Sequence, residues 1–117
     1  MSCFDVVAAV RSALAGALGV PCYCEVPEGR PQRFASVERT GGATYLYKDE
    51  PNLAVQLWAE SDADAYALAM AARAALLDLW RLSPQVCRVV VGGTYRFPDP
   101  DSRAARYQID VYLVTRL

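Results

Sequence analysis

Periodicities along the chain predict an α+β domain with the order α-β-β-β-α-β-β, in which a mostly antiparallel sheet carries two helices packed on one face. Three observations carry this. Apolar residues recur at three- and four-residue steps near the N-terminus and again after Ser61, they alternate with period two over residues 53–60 and 107–114, and Pro, Gly and Asp clusters separate these stretches. With 117 residues, 54% of them hydrophobic, the whole chain (1–117) reads as one domain able to bury about two-thirds of its extended surface.

The first helix is expected over about residues 3–18. Ser2 and Asp5 have the spacing of a capping box, and Phe4, Val7, Val10, Leu14 and Leu18 form its apolar stripe. Gly19 then offers a left-handed C-terminal cap, and Pro21 prevents continuation. Residues 22–26 read as a short strand, followed by a loop through Pro27, Arg30 and Pro31. A second strand runs from Phe34 to Thr40, where Gly41-Gly42 is expected to break it; residues 43–48 either lengthen a hairpin or stay irregular. In the third strand Leu53, Val55, Leu57 and Ala59 face the core, and Ala54, Gln56 and Trp58 fall on the opposite face.

Ser61, with Asp62 and Asp64 in the first turn, starts a helix expected to reach about Trp80. Ala65, Leu68, Ala69, Ala72, Leu76, Leu79 and Trp80 make its core stripe, and Tyr66, Met70 and Leu77 lie on an adjacent face beside Arg73. Two apolar stripes require two covering surfaces: the sheet takes one, and the first helix or a neighbouring subunit takes the other. Residues 86–97 form a strand in which Gly92-Gly93 permits a bulge. After a turn at 98–102 the last strand pairs back antiparallel, with Tyr107, Ile109, Val111 and Leu113 on one face and Gln108, Asp110, Tyr112 and Val114 on the other.

Charge and composition exclude several functions. Twelve Lys and Arg against 13 Asp and Glu leave a net charge of -1, so nothing draws the whole molecule to nucleic acid or anionic lipid. Histidine is absent, which removes the usual neutral-pH base and the commonest metal ligand. No catalytic residues and no cofactor are expected. The N-terminus lacks a basic signal region, and the longest uncharged stretch, residues 12–24, contains Gly16, Gly19 and Pro21 and is too short to span a bilayer. Cytoplasmic synthesis and no membrane partner are therefore expected.

Cys22 and Cys24 would share one face of a strand, while Cys3 and Cys87 stand alone; this is not paired metal-ligand spacing, and all four are expected as small buried hydrophobes without a metal. Asp62 with Asp64 is explained by helix capping, and Asp99 with Asp101 by a turn. Neither glycine pair has the spacing of a phosphate loop.

Arginines flank the strands in two groups: Arg30, Arg33 and Arg39, then Arg96, Arg103 and Arg106. Solvated charge is their ordinary role; pairing with acids of a neighbouring copy is the alternative. Trp58, Tyr95 and Tyr112, on the non-core face of strands, are the aromatics that interface centres use.

Three segments carry a resemblance when taken in order: Gln32-Arg33-Phe34-Ala35-Ser36-Val37-Glu38-Arg39-Thr40-Gly41-Gly42, then Leu53-Ala54-Val55-Gln56-Leu57-Trp58-Ala59-Glu60-Ser61, then Pro98-Asp99-Pro100-Asp101-Ser102-Arg103-Ala104-Ala105-Arg106-Tyr107-Gln108. With the Ala-rich helix after the second, the chain resembles tail terminator proteins of long-tailed phages and prophages, especially those of actinobacterial hosts. The likeness spans nearly the whole chain, and the order of the segments carries it. Arg103 departs from the pattern, which has a glycine or small residue there.

The resemblance implies a subunit of a hexameric ring on the completed tail tube. The ring stops polymerisation and offers a surface to the head-completion or connector protein, at the virion head-tail junction after assembly in the host cytoplasm. DNA would pass through its lumen without specific binding, which suits a near-neutral net charge. Trp58, Tyr66, Met70, Arg73, Leu77 and Tyr112 are then expected at the subunit interface. Arg30, Arg33, Arg39, Arg96, Asp99, Asp101 and Arg103 are expected to meet the tube or connector. Another head-tail connector or minor capsid component would use the same composition. A small dimeric α+β ligand-binding or enzymatic domain is the rival of a different class, and it predicts a closed pocket.

Overall fold

The computed structural model describes residues 4–117. Its elements are α1 (Val6–Leu18), β1 (Cys22–Tyr23), β2 (Phe34–Thr44), β3 (Lys48–Ala59), α2 (Asp62–Leu77), α3 (Leu79–Leu82), β4 (Val86–Arg96) and β5 (Ala105–Arg116). All five strands join one sheet in the order β1-β2-β3-β5-β4. Only β1 pairs in parallel. This is the expected α+β architecture, with one added turn of helix.

Helix α1 starts three residues later than expected, because Asp5 is itself the N-cap and accepts the Ala8 amide at 3.1 Å. Ser2 and Cys3 lie outside the described residues. At the other end Gly19 takes φ 66° and returns its N–H to the Ala15 carbonyl, so the expected stop holds. Strand β1 ends at Tyr23, not 26; Cys24 is consequently exposed, as is Cys87, whereas Cys22 is buried and burial pushes its thiol up to about 11.

Gly41-Gly42 does not end β2. The strand bulges between Arg39 and Gly41 and continues to Thr44, so the following residues lengthen the hairpin. Gly42 is required there: it sits at φ 103°, and a Cβ would land on the Glu50 carbonyl oxygen and 2.9 Å from Pro51 Cα. Strand β3 accordingly begins at Lys48, five residues earlier than the alternation shows, and carries Pro51 in a central strand. The sheet tolerates this proline because the β3–β5 ladder passes over Glu50 and Pro51 without pairing them. The second glycine pair behaves as read, with a register shift between Val91 and Thr94.

Ser61 caps α2 by accepting the Asp64 amide at 3.2 Å. That helix stops at Leu77, since Asp78 leaves helical geometry at φ -99°, ψ 1° before the single turn of α3. The break keeps Leu79 buried but turns Trp80 outward, 61% exposed, and removes it from the core stripe to which the unbroken period assigned it.

Helices α1 and α2 lie side by side on one face of the sheet. Val10 and Leu14 of α1 and Ala65, Leu68, Ala69, Ala72 and Leu76 of α2 close over Val37, Leu53, Val55, Leu57, Ile109 and Val111. The run of alanines lets α2 approach the strands closely, and each large apolar side chain buried here contributes about 1.5–3 kcal/mol. Strands of 11–12 residues at about 3.3 Å per residue account for the longest extent of the molecule, 42 Å. Among the described residues no helix covers the other face.

Candidate functional site

The uncovered sheet face is polar at its centre. Ser36 Oγ donates to Gln56 at 3.5 Å, Gln56 Nε2 to Gln108 Oε1 at 2.9 Å, and Gln108 Nε2 to the Tyr95 hydroxyl at 2.8 Å and to Asp110 at 3.1 Å. The row crosses four strands, β2-β3-β5-β4, and holds the side chains flat against the sheet. Beside it Val90, Tyr112 and Val114 border an open cleft of about 490 Å³. Tyr112 is exposed on this face, as its alternation requires.

One end of this face is covered by two loops, 24–33 and 97–104. The Arg30 guanidinium joins them, donating to Asp99 at 3.2 Å and Ser102 at 3.3 Å while it lies 5.4 Å from the Phe34 ring and 5.7 Å from Trp58. Asp99 also accepts the Ser102 hydroxyl at 2.8 Å and the Asp101 amide at 3.0 Å. These donors, Ser102 first, hold its carboxyl down to about 2 from an ordinary 3.8. Because the folded value is the lower one, the ionised carboxylate supports the loop at every pH above 3.8, and that support drains away as pH falls toward about 2. A carbon-detected titration is expected to place Asp99 near the lower value, and Asp99→Asn to remove this acid-limb contribution. Titration at its ordinary value would show that the turn does not hold it.

Beneath the loops Trp58 and Phe34 stack with centroids 4.4 Å apart and planes 13° apart. Arg106 lies 5.3 Å from Trp58 on this end and donates through Nε to the Phe97 carbonyl at 2.6 Å. Trp58 does point away from the helices, as the alternation indicates, yet only 3% of it is exposed. The expectation that it presents an open aromatic to a neighbour is corrected: loops that pattern analysis cannot place have already covered it.

The two arginine loops expected to act together do meet. Arg30, Asp99, Asp101 and Arg103 gather at this end, and Arg33 joins them by pairing with Glu60 at 2.9 Å and Asp64 at 3.7 Å. Arg96 ties β4 to the start of α2 through Asp62 at 2.9 Å. Arg39 stands apart, near the opposite end of the hairpin, where it binds Asp49 through both terminal nitrogens at 2.6 and 2.9 Å. Arg103 takes φ 58°, a left-handed conformation that favours glycine.

Residues expected at the subunit interface fall on two surfaces. Tyr66, Arg73 and Leu77 are exposed and Met70 half-buried along the outward side of α2, with Tyr66 set edge-on to Tyr107 at 5.7 Å. Tyr112 is on the opposite side of the sheet. Sequence reasoning missed Tyr45, Leu46 and Tyr47 at the β2–β3 tip, which are 50, 79 and 82% exposed. The available signal was a run of three large apolar residues between the Gly41-Gly42 pair and a charged Lys48-Asp49-Glu50 stretch. Among the described residues no cluster of His, Cys, Asp or Glu is arranged to hold a metal.

No protein-family model matches this chain, and no curated protein does. A solved structure does match: a chain of the virion of a native gene transfer agent particle superposes with a TM-score of 0.70 at 14% identity, over 96% of this chain and 95% of that one. The two share a fold from end to end. At that identity the likeness establishes the architecture, and the surfaces described above are this chain's own.

Proposed function

We propose that this chain is a structural component of a phage-like particle that forms a hexameric ring at the end of the tail tube, terminates tube polymerisation and presents the head-tail joining surface. It works by contact and makes or breaks no bond; its partners are copies of itself, the tube protein and a head-completion protein, with DNA passing unbound through the lumen. The observation that carries this reading is the full-length fold shared with a chain of a virion particle. Two features support it. The uncovered sheet face and the exposed tip at Tyr45, Leu46 and Tyr47 are different surfaces of one molecule, and joining unlike surfaces head to tail is what closes rings. The looped end carrying Arg30, Arg33, Asp101 and Arg103 is then left to meet the tube or connector.

The test adds purified protein to polymerising tube protein and measures tube lengths by electron microscopy. Dose-dependent shortening with a ring at one tube end is expected, and an unchanged length distribution would overturn the proposal. Replacing Tyr45, Leu46 and Tyr47 together by serine should leave the fold intact, since these side chains project from it, and should weaken self-association by at least about tenfold. Unchanged association in sedimentation would remove the tip from the interface.

A further inference from the structure

We infer that the cleft bordered by Val90, Tyr112 and Val114 on the uncovered sheet face is a socket for the Tyr45-Leu46-Tyr47 tip of a second copy of this chain. This deepens the proposed ring, on which it rests, by naming the two surfaces that meet.

The socket depends on a glycine. Tyr112 leans toward the neighbouring strand at Gly92, where a Cβ would sit 3.0 Å from its ring, and the missing side chain leaves room for that ring as a wall of the cleft. Val90 and Val114 add apolar surface, and Glu50, Asn52 and Arg88 add donors and acceptors suited to a tyrosine hydroxyl. The cleft holds about 490 Å³ but lies open along the sheet, whereas sites for small molecules enclose most of the ligand's surface. A protruding protein segment suits it better.

The tip is such a segment, and it is held in place. The Arg39 guanidinium binds both Asp49 carboxylate oxygens at 2.6 and 2.9 Å, its Nε donates to the Gly41 carbonyl at 3.1 Å, and the Thr44 hydroxyl donates to Asp49 at 2.8 Å. These bonds tie the bulge to the last pair of the ladder, Thr44 with Asp49, and the Tyr45 amide closes the turn on the Lys48 carbonyl. A segment ordered beforehand loses little freedom on docking. It also cannot fold back on itself. Gly42, Ala43 and Glu50 of the same hairpin line the cleft, and the ladder carries the tip onward past them. The tip therefore reaches this cleft only in another copy.

A knob and a socket at different places on one chain make a head-to-tail contact, the kind that closes into rings. The contact is small. At their observed exposures the two tyrosines and the leucine cover roughly 400 Å². A single such contact belongs with weak, transient encounters, and ring closure, which engages both the knob and the socket of every copy, holds the assembly.

Mixing two variants tests this. The tip variant, Tyr45→Ser with Leu46→Ser and Tyr47→Ser, keeps an intact socket; Val90→Glu, which puts a charge into the socket at an exposed strand position, keeps an intact tip. In sedimentation velocity the wild type is expected to associate as its concentration rises, and each variant alone to do so at least about tenfold more weakly. Their equimolar mixture should form a 1:1 complex that grows no further, because the remaining tip and the remaining socket are both disabled. Urea midpoints check that both variants fold, and Val90→Thr, an isosteric polar change, repeats the test without an added charge. A mixture no more associated than its components, a variant that associates as the wild type does, or a wild type that is monomeric at every soluble concentration would overturn the inference. The tube-capping assay separates it from the broader reading: complementation by a protein that never shortens tubes sinks the tail role and leaves the contact, whereas shortening by the wild type without complementation sinks the contact and leaves the tail role.

Discussion

Trp58→Ala is expected to destabilise the isolated chain by about 3–5 kcal/mol, the range for removing a large buried aromatic. Against a total of about 5–15 kcal/mol for a domain of this size, that is a large fraction of its stability. The reason is local: Trp58 is the platform on which Phe34 stacks and around which Arg30 and Arg106 are arranged, so its loss empties the space that both loops cover. Urea unfolding should show a lower midpoint with little change in slope. Trp58→Phe, which keeps a stacked ring and removes the unpaired N–H, should cost far less. A cost below about 1 kcal/mol for the alanine variant, accompanied by loss of self-association, would return Trp58 to the subunit interface and overturn the burial argument.

Gly42→Ala is expected to disrupt the β2–β3 hairpin and destabilise the sheet by at least about 2–3 kcal/mol, combining a backbone conformation L-residues rarely adopt with a collision against the central strand. The collision is with main chain, at the Glu50 carbonyl and Pro51, so no side chain can turn aside to relieve it. Gly41→Ala is the control. Its Cβ would meet nothing nearer than Asn52 Nδ2 at 3.9 Å, and its effect should stay within about 0.5 kcal/mol. Hydrogen exchange reads the difference directly, because the Tyr45 amide is bonded to the Lys48 carbonyl at 2.8 Å across the tip and should lose protection only in Gly42→Ala. Similar exchange in both variants would show that the bulge does not need a glycine at 42.

These two positions mark where reading the chain alone stops working. Alternation at Leu53, Val55 and Leu57 placed Trp58 on the correct face, and Gly41-Gly42 was recognised as a discontinuity. Neither pattern contains the information that decided the outcome. Which side of a strand a residue faces is a local property, but whether that side is wet depends on loops arriving from residues 24–33 and 97–104, far away in sequence. A glycine pair likewise marks an unusual backbone without saying whether the strand ends or bulges, since the answer lies in what the opposite strand brings close. Trp80 failed in a related way. The helical period carries it into the core only if the helix is continuous, and Asp78 interrupts it.

What the chain's own chemistry determined, then, is everything that repeats or terminates locally: the left-handed stop at Gly19, the Ser61 cap, the alternating faces of the third and last strands, the bulge at Gly92-Gly93, and from their order the α+β class. Those features depend on backbone sterics and on neighbours within a few residues, so they are written in short spans. Only the tertiary structure decided that Arg30 clamps Asp99 across 69 residues, that Arg39 belongs to the opposite end, that Tyr45, Leu46 and Tyr47 stand clear at a tip, and that the indole of Trp58 is covered with its N–H unpaired. Contacts between distant segments carry no periodic trace, because the energy that selects them comes from the closing of one surface on another.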